Sequence, residues 1–169
     1  ATLPWSMLHA FAQVAAQHPW ESTRPGFYGQ DVLVRKEPVG VVAAIVPWNM
    51  PQFLIIGKLV PALLAGCAVV VKPAPETPLD AVLLAEILEE VGLPEGLVSI
   101  LPAGAEVGRH LVGHPGVDKV SFTGSTRGGR AVMATAADGL KRMHMELGGK
   151  APFVVFDDAD LEAAINGAV

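Results

Sequence analysis

Cys67 is the only cysteine in this 169-residue chain. No intrachain disulfide can form and no cysteine-built zinc site can be assembled, so a reducing, cytoplasmic setting is the expectation. Charge is sparse as well, with 17% of residues charged and a net charge of -5. A nucleic-acid surface needs clustered Lys and Arg to displace counterions from phosphates, so no nucleic-acid partner is expected. Long apolar runs are missing too. The richest stretch is interrupted by Pro47, Asn49, Pro51 and Lys58, short of the roughly 20 residues that span a bilayer, and no membrane partner is expected. No Lys or Arg precedes Arg24, so no secretory signal is expected in these residues. Gly-x-Gly occurs nowhere, which removes the usual dinucleotide fingerprint.

What the chain has in quantity is hydrophobic side chains, 51% of residues, together with 18 glycines and 14 prolines and a mean hydropathy of +0.42. Such a composition builds a core and excludes a disordered tail. The length suits one domain at most. Short β-branched runs alternate with longer helical patterns, the reading of βαβ units around a mostly parallel sheet. Strands are expected at Val41–Val46, Ala68–Val71, Val98–Leu101, Lys119–Phe122, His144–Leu147 and Phe153–Phe156. Several are unbroken apolar runs, as strands covered on both faces require. Thr77-Pro78-Leu79-Asp80 opens the clearest helix, with Thr77 as cap and Pro78 in the first turn, and Gly92 closes it. Further helices are expected over 53–65, 104–113 and 126–137, and near the start through Leu8, Phe11 and Ala15. Segment 25–40 reads as extended, with a strand at Asp31–Arg35. After a capping run at Asp157–Asp160, Leu161, Ala164, Ile165 and Ala168 recur at helical spacing until the sequence stops, so a fragment of a longer protein is expected.

Three segments join a strand to a helix and carry polar groups. In Phe122-Thr123-Gly124-Ser125-Thr126-Arg127-Gly128-Gly129, free backbone N–H groups and the helix dipole favour an anion. A P-loop is excluded, because Arg130-Ala131 stands where Lys-Ser/Thr is required. Taken alone, an ordinary strand-helix turn is the commoner reading. In Pro47-Trp48-Asn49-Met50-Pro51, either the prolines form a rigid turn around a core tryptophan, or Asn49 is a preorganised amide donor at a strand end, where α/β sheets bind ligands. Lys72 in Lys72-Pro73-Ala74-Pro75-Glu76 is either a solvated boundary residue or a donor to ribose or phosphate, and Glu76 is a partner of the helix dipole. Glu146 in Met145-Glu146-Leu147-Gly148-Gly149-Lys150 is either a paired structural carboxylate or, through apolar surroundings that raise its pKa, a general base. Cys67 is flanked by apolar residues and reads as a buried small hydrophobe, not a nucleophile. His110 and His114 lie four apart with no third ligand, so no metal site is expected.

Together and in this order, Pro47-Trp48-Asn49-Met50-Pro51, Lys72-Pro73, Phe122-Thr123-Gly124-Ser125-Thr126 and Glu146-Leu147-Gly148-Gly149-Lys150 resemble the NAD(P)-dependent aldehyde dehydrogenase superfamily over nearly the whole chain. The resemblance implies a Rossmann-like doubly wound α/β fold and NAD or NADP as cofactor. It also implies oxidation of a small-molecule aldehyde to an acid through a cysteine-bound thioester, in a homodimer or homotetramer. Asn49 matches the family's oxyanion donor and Glu146 its general base. Ile45, Val46, Pro47 and Trp48 match the cofactor-lining strand end, and Lys72 the lysine on the adenosine ribose. Gly124 and Ser125 match the helix start that receives the pyrophosphate, with Phe122, Thr126, Gly129, Leu147 and Gly148 beside the cofactor. Gly104 and Gly108 fit a glycine pair near the adenine. Two departures stand out. Pro75 occupies the place of a ribose-binding Glu, with Glu76 one residue later, so NAD and NADP both stay open. The family's nucleophilic cysteine lies downstream of the Glu-Leu-Gly-Gly-Lys segment, where this chain has none. Residues 1–169 are thus expected to form a single, partial dinucleotide-binding domain, inactive alone and lacking the catalytic domain. The alternative is a non-catalytic dinucleotide-binding or interaction module.

Overall fold

Val41-Val42-Ala43-Ala44-Ile45 has no polar residue to offer either face, so it forms a strand that must be covered on both sides. In the computed structural model, which describes residues 3–168, this strand is the centre of the molecule. Preceding it are helix α1 (Leu3–Gln17) and strands β1 (Glu21–Pro25) and β2 (Asp31–Arg35). The central strand is β3 (Val41–Ile45), followed by α2 (Pro51–Leu64), β4 (Ala68–Lys72), α3 (Leu79–Glu90), β5 (Val98–Ile100) and α4 (Ala105–Gly113). Then come β6 (Lys119–Gly124), α5 (Thr126–Ala137), β7 (Arg142–Leu147) and α6 (Leu161–Ala168).

Five strands form one parallel sheet in the order β5-β4-β3-β6-β7. From β3 the chain steps outward to β4 and β5, then returns across β3 to β6 and β7. Two apolar clusters follow from this winding. Val42, Ala44 and Val46 pack with Ile55 and Leu59 of α2, Ala81 of α3 and Cys67, while Ala43 and Ile45 pack on the opposite face with Leu111 and Val112 of α4, Val120, and Ala136 of α5. The doubly wound parallel sheet expected from the sequence is therefore present, and buried Cys67 belongs to its core.

Some local expectations are corrected. Phe153–Phe156 forms no strand, and its side chains are exposed. A β-branched and aromatic run becomes a strand only when a ladder partner lies beside it, and no described strand pairs with it. Thr77 does not cap α3. Pro78 occupies the cap position with helical angles, and the Thr77 hydroxyl donates to the Trp48 carbonyl at 3.5 Å. The strand β1 was not expected, because Glu-Ser-Thr-Arg-Pro has no apolar alternation. It is held by antiparallel pairing with β2 and an Arg35–Glu21 ion pair at 2.6 Å, in a mostly exposed hairpin. Gly92, at φ +71°, does end α3, and Asp160 caps α6 by accepting from the Glu162 and Ala163 N–H groups.

One lysine is buried within the fold. Lys58, the single charged residue of α2, is 8% exposed and donates to the Ser121 hydroxyl at 3.0 Å. Burial pushes its ammonium down to about 8, against the opposing pull of the Glu146 carboxylate.

Two predictions follow from this packing. Gly40 has φ +115°, and a Cβ there would overlap the Asp118 carboxylate that accepts the Val41 N–H at 2.8 Å. Gly92 has open space around it. Gly40→Ala is expected to cost about 3 kcal/mol, and Gly92→Ala about 1 kcal/mol, measured by urea unfolding. For Lys58, the folded chain releases its proton near pH 8 and the unfolded chain only near 10.5. Below that window both states are charged and the fold carries the full desolvation cost. Stability due to this group therefore rises with pH between the two values. Melting temperatures from pH 7.5 to 10 should show this rise in the native chain and its loss in Lys58→Met.

Candidate functional site

Because β4 and β6 flank β3 and their following segments leave toward opposite faces, a crevice opens at the carboxyl end of the sheet, where such folds bind ligands. There lies a cavity of about 560 Å³, within the usual size of small-ligand sites. Its floor is the end of β3, Ile45 to Pro47; one wall is Lys72 to Glu76 with Gly108 and Arg109 of α4, and the other is the turn from β6 into α5.

Each wall is shaped by a close contact. Lys72 is buried, and its ammonium donates to the Pro73 carbonyl at 2.8 Å and the Ala103 carbonyl at 2.9 Å. An ammonium has three donors, so one remains for a ligand. Its methylenes lie against α4 at Gly108, where a Cβ would come within 3.3 Å of them. Burial lowers the Lys72 pKa, and the Glu76 carboxylate pulls it back up. On the opposite wall Ser125 caps α5, its hydroxyl accepting the Gly128 N–H at 3.1 Å. The Phe122 ring occupies the space where a Cβ on Gly124 would sit 2.6 Å away and one on Gly128 3.0 Å away. Only glycine lets this backbone close over the ring. The N–H groups of Thr126 and Arg127 stand at the start of the helix, where no intrahelical acceptor exists.

Lys72, Arg109 and Arg127 against Glu76 make the lining more cationic than anionic, in a chain of net charge -5. With the positive end of α5, this favours an anion. Thr123 shares the α2-side face of β6 with Ser121, so its buried hydroxyl, which has no hydrogen-bond partner, is turned away from this cavity. Phosphate oxygens at the α5 terminus and ribose hydroxyls at Lys72 would satisfy the donors that do face it, so the residues fit a dinucleotide.

Of the residues singled out from the sequence, the cavity gathers Ile45, Val46, Pro47, Lys72, Gly108, Phe122, Gly124 and Ser125. The rest lie outside its lining. Gly104 caps α4, and a Cβ there would meet open space. Thr126 opens α5. A Cβ on Gly129 would fall 2.5 Å from Leu147 Cδ2, so these two residues seat α5 on β7. Gly148 is exposed beyond β7. Trp48 is 63% exposed, which excludes the core tryptophan, and Asn49 beside it is exposed.

Glu146 is 62% exposed and pairs with His144, Nε2 to Oε1 at 3.2 Å. The apolar enclosure that the sequence suggested for this carboxylate is not built by these residues. His144 Nδ1 in turn lies 3.3 Å from the Ser121 hydroxyl that accepts from Lys58. Arg109, Arg127, Thr123, Lys58, Ser121 and His144 were not anticipated as site residues. Lys58 carried a signal, as a lone charge in an apolar helix. So did the polar residues at every second position, Ser121 with Thr123 and His144 with Glu146. His114 Nδ1 accepts the Gly116 N–H at 3.1 Å, so this histidine finishes the turn after α4.

The aldehyde dehydrogenase family model matches residues 4–169. A geranial dehydrogenase of Castellaniella defragrans is 51% identical over 161 residues, 95% of this chain and 34% of that protein. A glutarate-semialdehyde dehydrogenase of Pseudomonas aeruginosa is 49% identical over 156 residues, 91% of this chain and 32% of that one. The crystal structure of Mycobacterium tuberculosis aldehyde dehydrogenase complexed with NAD+ superposes with a TM-score of 0.92 at 50% identity, over 96% of this chain and 33% of that chain. The chain spans about a third of the length of the curated relatives it matches. With a family match over almost its whole length, the chain belongs to the aldehyde dehydrogenase family.

Proposed function

We propose that residues 1–169 form a single dinucleotide-binding unit that holds NAD or NADP and presents two reacting side chains for oxidation of an aldehyde to an acid. The observation that carries this is the cavity at the strand-order reversal. There the α5 N-terminus and the Lys72 ammonium converge. The bound cofactor would accept the hydride. This chain's residues would clamp it: Lys72 at the ribose, the first turn of α5 at the pyrophosphate, and Ile45 to Pro47 along its length. The M. tuberculosis relative is complexed with NAD+, and a 49%-identical Sinorhizobium fredii relative is named a probable succinate-semialdehyde dehydrogenase [NADP(+)], so both cofactors are carried forward.

Asn49 would donate its amide N–H to the oxyanion as the aldehyde carbonyl is attacked, a contribution of about 10²–10³ in rate. Glu146 would remove a proton from the hydrolytic water. Cys67 cannot be the nucleophile, being 3% exposed within the α2-side apolar cluster. The thiol comes from outside this chain's cavity, and the 169 residues alone are expected to reduce no cofactor when given aldehyde. A cytoplasmic setting and a homodimer or homotetramer, with the exposed β1–β2 hairpin in the subunit contact, complete the proposal. No helix among the described residues is long and apolar enough to cross a membrane.

Titration calorimetry tests the cofactor reading. NAD or NADP should bind in the micromolar range, and Lys72→Met should weaken binding by about tenfold, the worth of one charged hydrogen bond. Arg127→Ala, at the surface, should weaken it without loss of stability. A folded chain that binds neither nucleotide overturns the reading. Affinity should also fall as pH rises. Because burial sets the Lys72 pKa below the ordinary 10.5, the fall should begin at lower pH than an exposed lysine would give, and it should be absent in Lys72→Met.

A further inference from the structure

We propose that His144 is a positioning residue for Glu146, anchored through Ser121 to the buried Lys58; the inference rests on the reading of Glu146 as a general base. Strands β6 and β7 run parallel, with Ser121 opposite His144 and Thr123 opposite Glu146. Side chains two apart share a face of a strand, so these four residues form one patch. Lys58 reaches that patch from α2, which places it on the α2 side of the sheet.

The chain of contacts has one direction. Lys58 Nζ to Ser121 Oγ is 3.0 Å, Ser121 Oγ to His144 Nδ1 is 3.3 Å, and His144 Nε2 to Glu146 Oε1 is 3.2 Å. An ammonium only donates, so Ser121 Oγ must accept from it. The serine hydrogen is then free for Nδ1, which must accept. The ring proton is left on Nε2, facing a carboxylate that only accepts. Every donor meets an acceptor. With the other tautomer, Nδ1–H would displace the serine hydrogen and Nε2 would set a lone pair against Glu146. The other charged groups on this side of the two strands are Lys119 and Arg142, which lie opposite each other at the far end.

The consequence is mechanical. Glu146 is exposed and, without His144, has several rotamers open to it. One donor on Oε1 holds the carboxylate over the end of β7 and leaves Oε2 free to take a proton. The donor is itself aimed by a buried group on a rigid helix. This side-chain chain does not depend on the cofactor cavity, which lies against the other helix layer.

Nuclear magnetic resonance of the 169-residue chain, labelled with ¹⁵N at histidine and ¹³C at glutamate, tests the proposal without using activity. At pH 7.5 the native chain should show a protected His144 Nε2–H resonance, and Glu146 should show the restricted side-chain mobility of a held carboxylate. Ser121→Ala should abolish the protected resonance, and His144→Phe should restore free-glutamate mobility to Glu146. His144→Gln, whose amide still donates, should retain the restriction. An Nδ1–H tautomer in the native chain, a protected resonance that survives Ser121→Ala, or a Glu146 mobility unchanged in His144→Phe overturns the positioning role. Failure of the dehydrogenase reading would appear instead in the calorimetry, with these spectra unaffected.

Discussion

Strand β3 pairs with β4 on one side and β6 on the other, and both pairings run parallel. A parallel partner cannot be reached by a tight turn, so each connection must climb over a face of the sheet. The connection to β4 uses α2 and the return to β6 uses α4, on opposite faces, as the two apolar clusters record. Above the end of β3 neither helix can fill the space. The cavity is therefore a product of winding and would exist with many side chains in its lining. What the particular residues add is polarity: a lysine on the β4 side, a helix N-terminus on the β6 side, and the apolar end of β3 between them.

Bringing a helix N-terminus against a sheet end leaves little room for side chains. Phe122 ends the apolar part of β6, and its ring lies under the turn, where Gly124 and Gly128 leave it space. One helical position further, Gly129 is buried against Leu147, so α5 sits close to β7 as well as to β6. A methyl group at any of the three positions would push α5 outward and move its free N–H groups away from the crevice. Two of the three glycines thus shape the cavity they line without a side chain of their own, and Gly129 acts through packing alone. Lys72 and Gly108 repeat the device on the other wall, where the missing Cβ lets the lysine stem lie flat against α4.

Elements made by local pattern were legible in the sequence. The apolar runs of β3 and β4, the alternating β6 and the helices between them needed only periodicity, and they fall where expected. The misreadings share a cause. Phe153–Phe156 has strand composition and no partner, whereas Glu21–Pro25 has a partner and no strand composition, because pairing is a tertiary fact. The same limit divides the site. Lys72, Ser125 and Pro47 sit at the ends of predicted elements, so topology alone brings them to the crevice. Lys58, Ser121 and His144 are separated by 63 and 23 residues and meet only through the packing of α2 on the sheet and the register of β6 with β7. The exposure of Trp48 and Glu146 was also hidden, since apolar neighbours in sequence do not guarantee apolar neighbours in space.

The two buried lysines show how one fold uses the same residue for two purposes. Each loses hydration and is pushed toward its neutral form. Lys72 recovers part of that loss from two carbonyls at fixed distance and keeps one donor in hand where it lines the cavity. Lys58 has one neutral acceptor, Ser121, and no carboxylate within ion-pairing distance among the described residues, so its residual field acts on the protein itself. That field orients Ser121, which orients His144, which holds Glu146. A buried cation is costly and in isolation destabilises the fold. One such cation stands on each side of the same sheet, and each organises its surroundings at the carboxyl end: the cavity wall on one side, the carboxylate on the other.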